Sequence, residues 1–261
     1  MHPVLKTVLE RLGLGLATLF VVSIIIFSAI ELLPGDFGQA VLGQSATEET
    51  IAAFRRELGL DQPAYLRYLH WVGNAVQGDF GTSFSGRNSG SSGAGTRSVV
   101  DLIAPRFWNT LFLASVTATI AVPISLVLGI TTALYRNSAY DRTVNTVTLT
   151  TISFPEFFVA YILILILGSL WPIFPSLANV NDSTPLGERL FRTVLPALTL
   201  TLVIIAHMMR MTRAAIINLL ASPYIQMARL SGASRSEVIL KHALPNAWAP
   251  IATVIAFNLA Y

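Results

Sequence analysis

Residues Tyr224 to Asn246 read YIQMARLSGASRSEVILKHALPN, a polar stretch wedged between two apolar ones and carrying Arg229, Arg235 and Lys241. The pattern predicts a short amphipathic helix. Pro223 suits its first turn, where a missing N–H removes no hydrogen bond. Tyr224, Met227, Ala228 and Leu230 supply its packing face, and Gly232 lets the chain turn sharply after it. Ser234 caps a second helix, with Glu237 three residues on, as in a capping box. A basic loop between membrane helices satisfies the topology rule with no further role. A helix lying across the membrane surface can also seat an apolar ridge in a partner's groove. Both readings stand on the residues alone.

Composition agrees with a membrane setting. The chain has 261 residues, 53% hydrophobic and only 12% charged, with a mean hydropathy of +0.63. A soluble domain carries about 25% charged residues. The net charge of +3 is small and its basic residues are scattered. That argues for topology signals rather than a nucleic-acid surface. There is no cysteine, so disulfides and thiolate metal sites are excluded. No His or carboxylate cluster has metal-ligand spacing.

A membrane helix needs roughly 20 mostly apolar residues. Four complete candidates appear, at about 12–33, 110–134, 144–171 and 194–211. A fifth begins at Leu244 and still runs at Tyr261. The first is too long for the apolar core of a signal peptide and is read as a retained helix. The second contains Pro123, and the third is interrupted by Pro155-Glu156. Interior prolines suit helices packed in a bundle, where neighbours re-satisfy the freed backbone. The Arg136–Arg142 loop and the Arg210–Lys241 region are basic, so both are expected in the cytoplasm, together with the N-terminus. Arg189 and Arg192 count mildly against an outer position for the 172–193 loop.

The 34–109 segment is expected outside as a small helical domain. Thr47 caps one helix bearing Ile51, Phe54 and Leu58, and Gly59 stops it. Gln62-Pro63 opens another, with Tyr65, Leu66, Leu69 and Val72 on one face. Ser85 to Arg97 (SGRNSGSSGAGTR) reads as a Gly/Ser linker. The division is therefore 1–33, an N-terminal segment with the first membrane helix; 34–109, an extracytoplasmic domain; and 110–261, a helical core containing a cytoplasmic loop at 212–243.

The opening segment closely resembles the cytoplasmic EAA loop of ABC-importer membrane subunits. That pattern is Glu-Ala-Ala, three residues, Gly, nine residues, Ile, one residue, Leu-Pro. Ala228 takes the second Ala, Gly232 the Gly, and Leu244-Pro245 the Leu-Pro, while Gln226, Met227 and His242 depart from it. The departures fit the peptide-transporting branch, with which Tyr224, Ala228, Arg229, Gly232, His242, Ala243, Leu244, Asn246 and Ala247 agree. Leu33-Pro34-Gly35-Asp36, Glu57-Leu58-Gly59-Leu60-Asp61-x-Pro63, Gly78-Asp79-Phe80-Gly81-x-Ser83, Arg106-x-x-x-Thr110-Leu111 and Pro155-x-Phe157 follow in the order of the B-type membrane subunit of dipeptide/oligopeptide ABC importers.

The resemblance implies an all-α polytopic membrane bundle, the type I importer permease fold. That fold has six membrane helices, so its C-terminal part is expected to be missing here. A multi-pass protein of the bacterial inner membrane is implied, with a homologous second permease subunit, two ATP-binding subunits and an extracytoplasmic solute-binding protein as partners. No Gly-x-x-x-x-Gly-Lys-Ser/Thr phosphate loop occurs in the sequence, so ATP and Mg belong to the partner subunits and no cofactor to this chain. The implied ATPase-coupling residues are Tyr224, Met227, Ala228, Arg229, Gly232, Ala233, Leu244 and Pro245. Cargo within the branch ranges over dipeptides, oligopeptides, nickel, opines and some sugars.

Glu156 sits mid-way along the expected third helix, after a run of Thr and Ser ending at Ser153. A carboxylate at that depth marks an inward or water-exposed site by default. Glu156 and Ser153 are therefore candidates for the substrate path, against a charge satisfied by a neighbour or a helix that starts later. His207 and Arg210 are placed near the cytoplasmic end of the fourth helix, where Arg210 snorkels to the interface. Glu31 reaches the outer interface, and Trp71, Trp108 and Trp171 anchor at interfaces. An intramembrane serine protease would need a Gly-x-Ser context that Ser115, Ser125 and Ser153 lack. A secondary carrier would use Glu156 for coupling, but inverted repeats are undetectable.

Overall fold

Proline and glycine set most element boundaries in this chain. The computed structural model describes residues 3–32, 47–57, 59–83, 97–181 and 183–259. Leu33-Pro34-Gly35-Asp36, Leu58, residues 84–96 of the Gly/Ser stretch, Asp182, Tyr261 and the Phe54 side chain lie outside the described residues. Regular structure among the described residues is helical apart from one antiparallel pair, β1 (Thr82–Ser83) with β2 (Arg97–Ser98). The expected all-α fold is what forms. The chain divides into two compact units, Met1–Ala104 and Pro105–Tyr261.

In the first unit, α1 (Pro3–Glu31) is apolar and exposed along nearly its whole length. It is long and apolar enough to cross a bilayer. Helix α2 (Glu48–Glu57) is capped by Thr47, whose Oγ1 accepts the Thr50 N–H at 3.2 Å. Gly59 ends it at φ +62°, with its N–H on the Arg56 carbonyl and that of Leu60 on the Arg55 carbonyl. Helix α3 (Ala64–Val76) turns a different face inward from the one its spacing predicts. Tyr68 is buried while Tyr65, Leu66 and Leu69 are exposed. The cause is a mixed polar and aromatic fit to α1. The Tyr68 hydroxyl lies 2.7 Å from Ser23 Oγ, and its ring packs on Phe20 and Phe27. Arg67 donates to Glu31 at 2.5 Å, so Glu31 is an ion-pair partner rather than a lone interfacial charge.

Helix α4 (Val99–Leu134) starts ahead of Thr110 and holds Pro105 and Pro123 inside. Ala121, Ser125, Gly129, Thr132 and Ala133 form its buried face. Small residues at this spacing let helix backbones approach closely in a membrane. A Cβ on Gly129 would stand 2.7 Å from Thr212 Cβ and 3.0 Å from the Met209 carbonyl. This contact brings α4 against α8 (Val194–Leu220). Helix α10 (Leu244–Leu259) closes the group through Ala247 and Ile251, which pack with Ala133 and Ile216.

The expected third span is two helices. Helix α5 (Ala139–Ser153) and α6 (Glu156–Leu163), which continues as a π segment over Ile164–Leu170, meet at a 98° bend. Pro155 lacks an N–H and drives the residue before it out of the helical region. Phe154 is accordingly extended at φ −96°, ψ 138°. Glu156 therefore opens α6 rather than standing mid-helix, and the positive end of the helix dipole favours a carboxylate there.

Two further boundaries move. Helix α7 (Leu186–Arg192) occupies the 172–193 loop. There Arg189 donates to Asn109 Oδ1 at 2.6 Å, and Arg192 donates to the Asn179 carbonyl at 2.6 Å. Helix α8 does not stop at Met211 but runs to Leu220. The first residues of the expected 212–243 loop are therefore helix, and His207 and Arg210 lie in the helix interior, not at its end.

Candidate functional site

Helix α9 (Pro223–Leu230) follows a corner at Ser222, whose backbone is extended, and Pro223 takes its first turn. Gly232 closes it at φ +85°. The Gly232 N–H bonds the Arg229 carbonyl at 3.0 Å, and the Ala233 N–H bonds the Ala228 carbonyl at 3.2 Å. This is a Schellman motif, in which a left-handed residue satisfies the last helix carbonyls. The two ends of its second bond, Ala228 and Ala233, both pack on a cluster of Ile225, Val238 and Ala243.

The helix thus has two faces of opposite use. Ile225 is fully buried and Ala228 half-buried. Tyr224, Met227 and Leu230, spaced three apart, are 41%, 64% and 82% exposed. The predicted packing face combined Ala228 with these three, and the structure separates them. Ile225, which the sequence reading passed over, anchors the helix inward. Arg229 is exposed and borders a cavity of about 540 Å³ together with Arg136 and Asn137.

The return strand of the loop is helical from Arg235. One α turn (Arg235–Glu237) leads into a π segment (Val238–Ala243) and then α10. Ser234 Oγ accepts the Glu237 N–H at 3.3 Å, which is half of a capping box. The other half is replaced by an ion pair, Lys241 Nζ to Glu237 Oε1 at 2.6 Å. The hydrogen bond from Lys241, then its charge, holds the Glu237 carboxyl below its ordinary value. Tyr224 leans back over the π segment, its hydroxyl 3.5 Å from the His242 carbonyl. Leu244 is half-buried against the Ala247–Ile251 cluster, while Pro245 is exposed.

Behind the loop, Arg213 of α8 makes a two-pronged bond to Asp141 of α5, with both N···O distances 2.8 Å. The Asn137 N–H at 2.9 Å and Asn145 Nδ2 at 2.7 Å complete the carboxylate's shell. Asp141 is buried. Its pairing fixes α5 to the part of α8 that leads into α9.

Ser153 and Glu156 are both exposed at the α5–α6 bend. Ser153 Oγ donates to the Leu149 carbonyl at 2.8 Å, and Thr150 Oγ1 to the Thr146 carbonyl at 2.9 Å. Both hydroxyls are thus satisfied by carbonyls of their own helix. The exposed stripe of α8 differs. His207, Arg210, Met211, Ala214 and Asn218 share one face by their spacing.

Models of known families match both parts of the chain. The "binding-protein-dependent transport system inner membrane component" covers residues 125–261, and the corresponding N-terminal membrane component covers 4–114. The glutathione transport system permease protein GsiC of Escherichia coli (strain K12) is 36% identical over 257 residues, spanning 98% of this chain and 78% of the relative. The same protein of Shigella dysenteriae serotype 1 (strain Sd197) aligns with the same figures. The chain belongs to the binding-protein-dependent transport system inner membrane component family. It is an integral membrane permease of several spans, a transport subunit and not itself an enzyme.

In the permease, sequence reasoning missed Asp141, Arg213 and Ile225. The positive-inside rule ignores acids, so Asp141 drew no attention among Arg136 and Arg142. An acid inside a basic loop, with an arginine in the next basic region, was the available signal. For Ile225 the signal was its place three residues before Ala228, on one helical face.

Proposed function

We propose that this permease imports peptides and is driven through α9 by ATP-binding subunits that dock on Tyr224, Met227 and Leu230. The observation that carries the reading is the division of α9 into an anchored inner face and an apolar outer face. Large apolar side chains clustered on one face of an anchored helix, a tyrosine among them, suit a protein interface. Ala228, Gly232, Ala233 and Leu244 serve this interface indirectly, by shaping and seating the loop. Arg229 supplies a cation at its edge, and Pro245 the start of the next membrane helix.

The wider assembly comprises two ATP-binding subunits holding ATP and Mg, a second homologous permease and an extracytoplasmic solute-binding protein. The basic segments around Arg136–Arg142 and from Arg229 to Lys241 support a cytoplasmic location for α9 and for the N-terminus. The 34–109 segment then lies outside, toward the binding protein. The peptide cargo is supported by the relatives' glutathione transport, since glutathione is itself a peptide. Closure of the ATPases would pull α9, and the Asp141–Arg213 pair would carry the movement into α5 and α8. Such coupling requires two states that ligands at each end favour unequally. A secondary carrier loses the mid-helix carboxylate on which it rested.

The test is co-purification with an ATP-binding subunit co-expressed with this chain. Leu230→Asp is expected to reduce recovered ATPase about tenfold, the effect of losing roughly 1.4 kcal/mol at an interface, while membrane insertion is unchanged. Equal recovery with Leu230→Asp, or no ATPase with the wild type, would refute the docking assignment.

A further inference from the structure

The exposed stripe of α8 leads to a second site. Helix α8 has 27 residues, about 40 Å at 1.5 Å per residue, against a hydrocarbon core of about 30 Å. Even if all the excess extends toward the α9 end, Arg210 stays about 6 Å and His207 about 10 Å inside the core. The shorter His207 side chain cannot reach the interface from that depth, and an ionisable group there faces a bundle interior or a water-filled cavity. Such a cavity is present. It has a volume of about 550 Å³ and lies between α5 and α8, with Asn145 and Leu149 on one side and His207, Arg210, Met211 and Arg213 on the other.

The charges in it are unequal in their commitments. Arg213 gives two bonds to Asp141, and Asn145 Nδ2 bonds the same carboxylate. Among the described residues no carboxylate pairs with Arg210, and no hydrogen-bond partner is found for His207. The cavity therefore presents one uncompensated guanidinium beside an imidazole, with apolar walls from Leu149 and Met211. Its size exceeds what a single small ion needs.

We propose that this cavity is a carboxylate subsite of the translocation path, where Arg210, flanked by His207, receives the free C-terminal carboxylate of a peptide cargo. The inference rests on the peptide-importer reading above. A guanidinium binds a planar carboxylate through paired N–H donors, and the bond strengthens where water is scarce. Arg210 lies on the α9 half of α8, so the subsite serves the later part of the passage. Arg210 then acts as a substrate-contacting residue that selects the acid form of the cargo.

The experiment uses the whole transporter with its binding protein, reconstituted in phosphatidylcholine vesicles with and without phosphatidylglycerol. An equimolar mixture of di-, tri- and tetra-alanine and their C-terminal amides is offered, and import is quantified by mass spectrometry. The acid-to-amide import ratio is compared between the wild type, Arg210→Gln and Arg210→Lys. Any discrimination by the binding protein is common to all three and cancels. The expected result is a fall of about tenfold in that ratio for Arg210→Gln, as for a lost charge-assisted bond, and a partial return for Arg210→Lys. An unchanged ratio with active import overturns the subsite and leaves the permease reading intact. A defect equal for acids and amides, seen only with phosphatidylglycerol, assigns the cavity to a lipid phosphate and also overturns it. If the wild type imports no member of the mixture, the peptide-importer reading fails and the subsite fails with it.

Discussion

Helices α8 and α9 are neighbours in the chain, yet their exposed faces are inverted. The membrane-crossing α8 shows His207, Arg210 and Asn218 on its open face, where lipid would favour apolar groups. The short α9, outside the long apolar spans, shows Tyr224, Met227 and Leu230, where water would favour polar ones. A polar stripe within a bilayer calls for water or cargo beside it, and an apolar stripe in water calls for protein. The polarity of each face relative to its surroundings is thus more informative than its polarity alone. Helix α1 supplies the contrast, apolar and exposed almost throughout, as a lipid-facing helix should be.

The largest effect is expected where the two surfaces share a support. Asp141→Ala leaves the Arg213 guanidinium without its carboxylate. Removing one partner of a buried pair costs about 3 kcal/mol, so the thermal midpoint of the detergent-solubilised protein should fall sharply. An unchanged midpoint would separate the two surfaces and undo the comparison. A smaller and more selective effect is expected on the polar stripe. His207→Leu would improve a lipid-facing surface, so if lipid covers it the midpoint should rise. The account instead expects no rise and a several-fold loss of transport in reconstituted vesicles, of the order of 1 kcal/mol in transition-state terms. The smallest is at the corner of the loop. Gly232→Ala meets open space but a left-handed backbone. About 1 kcal/mol of local strain follows, and ATPase stimulation should decline modestly while the global midpoint hardly moves. Full stimulation in Gly232→Ala would mean that the turn can relax without disturbing the docking face.

Much of this was legible in the residues. Apolar length marked α1, α4 and α8, and Gly232 and Ser234 announced the loop's corner and its next cap. Pro155 marked the break in the third span, but not that two helices would part by 98° there. Arg210 and Arg213 suggested a helix end because charge lowers hydropathy, whereas the backbone continues wherever its hydrogen bonds do. The Asp141–Arg213 pair joins residues 72 positions apart, which no local pattern encodes. The inner face of α3 was misread because Tyr68 is held by a hydroxyl bond and ring contacts that a count of aliphatic residues does not register. The interface residues of α9 were visible as a group, but only burial separates Ile225 and Ala228, which seat the helix, from Met227 and Leu230, which face outward.

The most direct measurement is photo-crosslinking from α9 in the assembled transporter. A photoreactive residue placed in turn at Met227, Leu230 and Ile225 reports what each side chain touches. The account predicts crosslinks to the ATP-binding subunit from Met227 and Leu230, and only internal products from Ile225. Crosslinks to the ATPase from Ile225, or none from Met227 and Leu230, would contradict it.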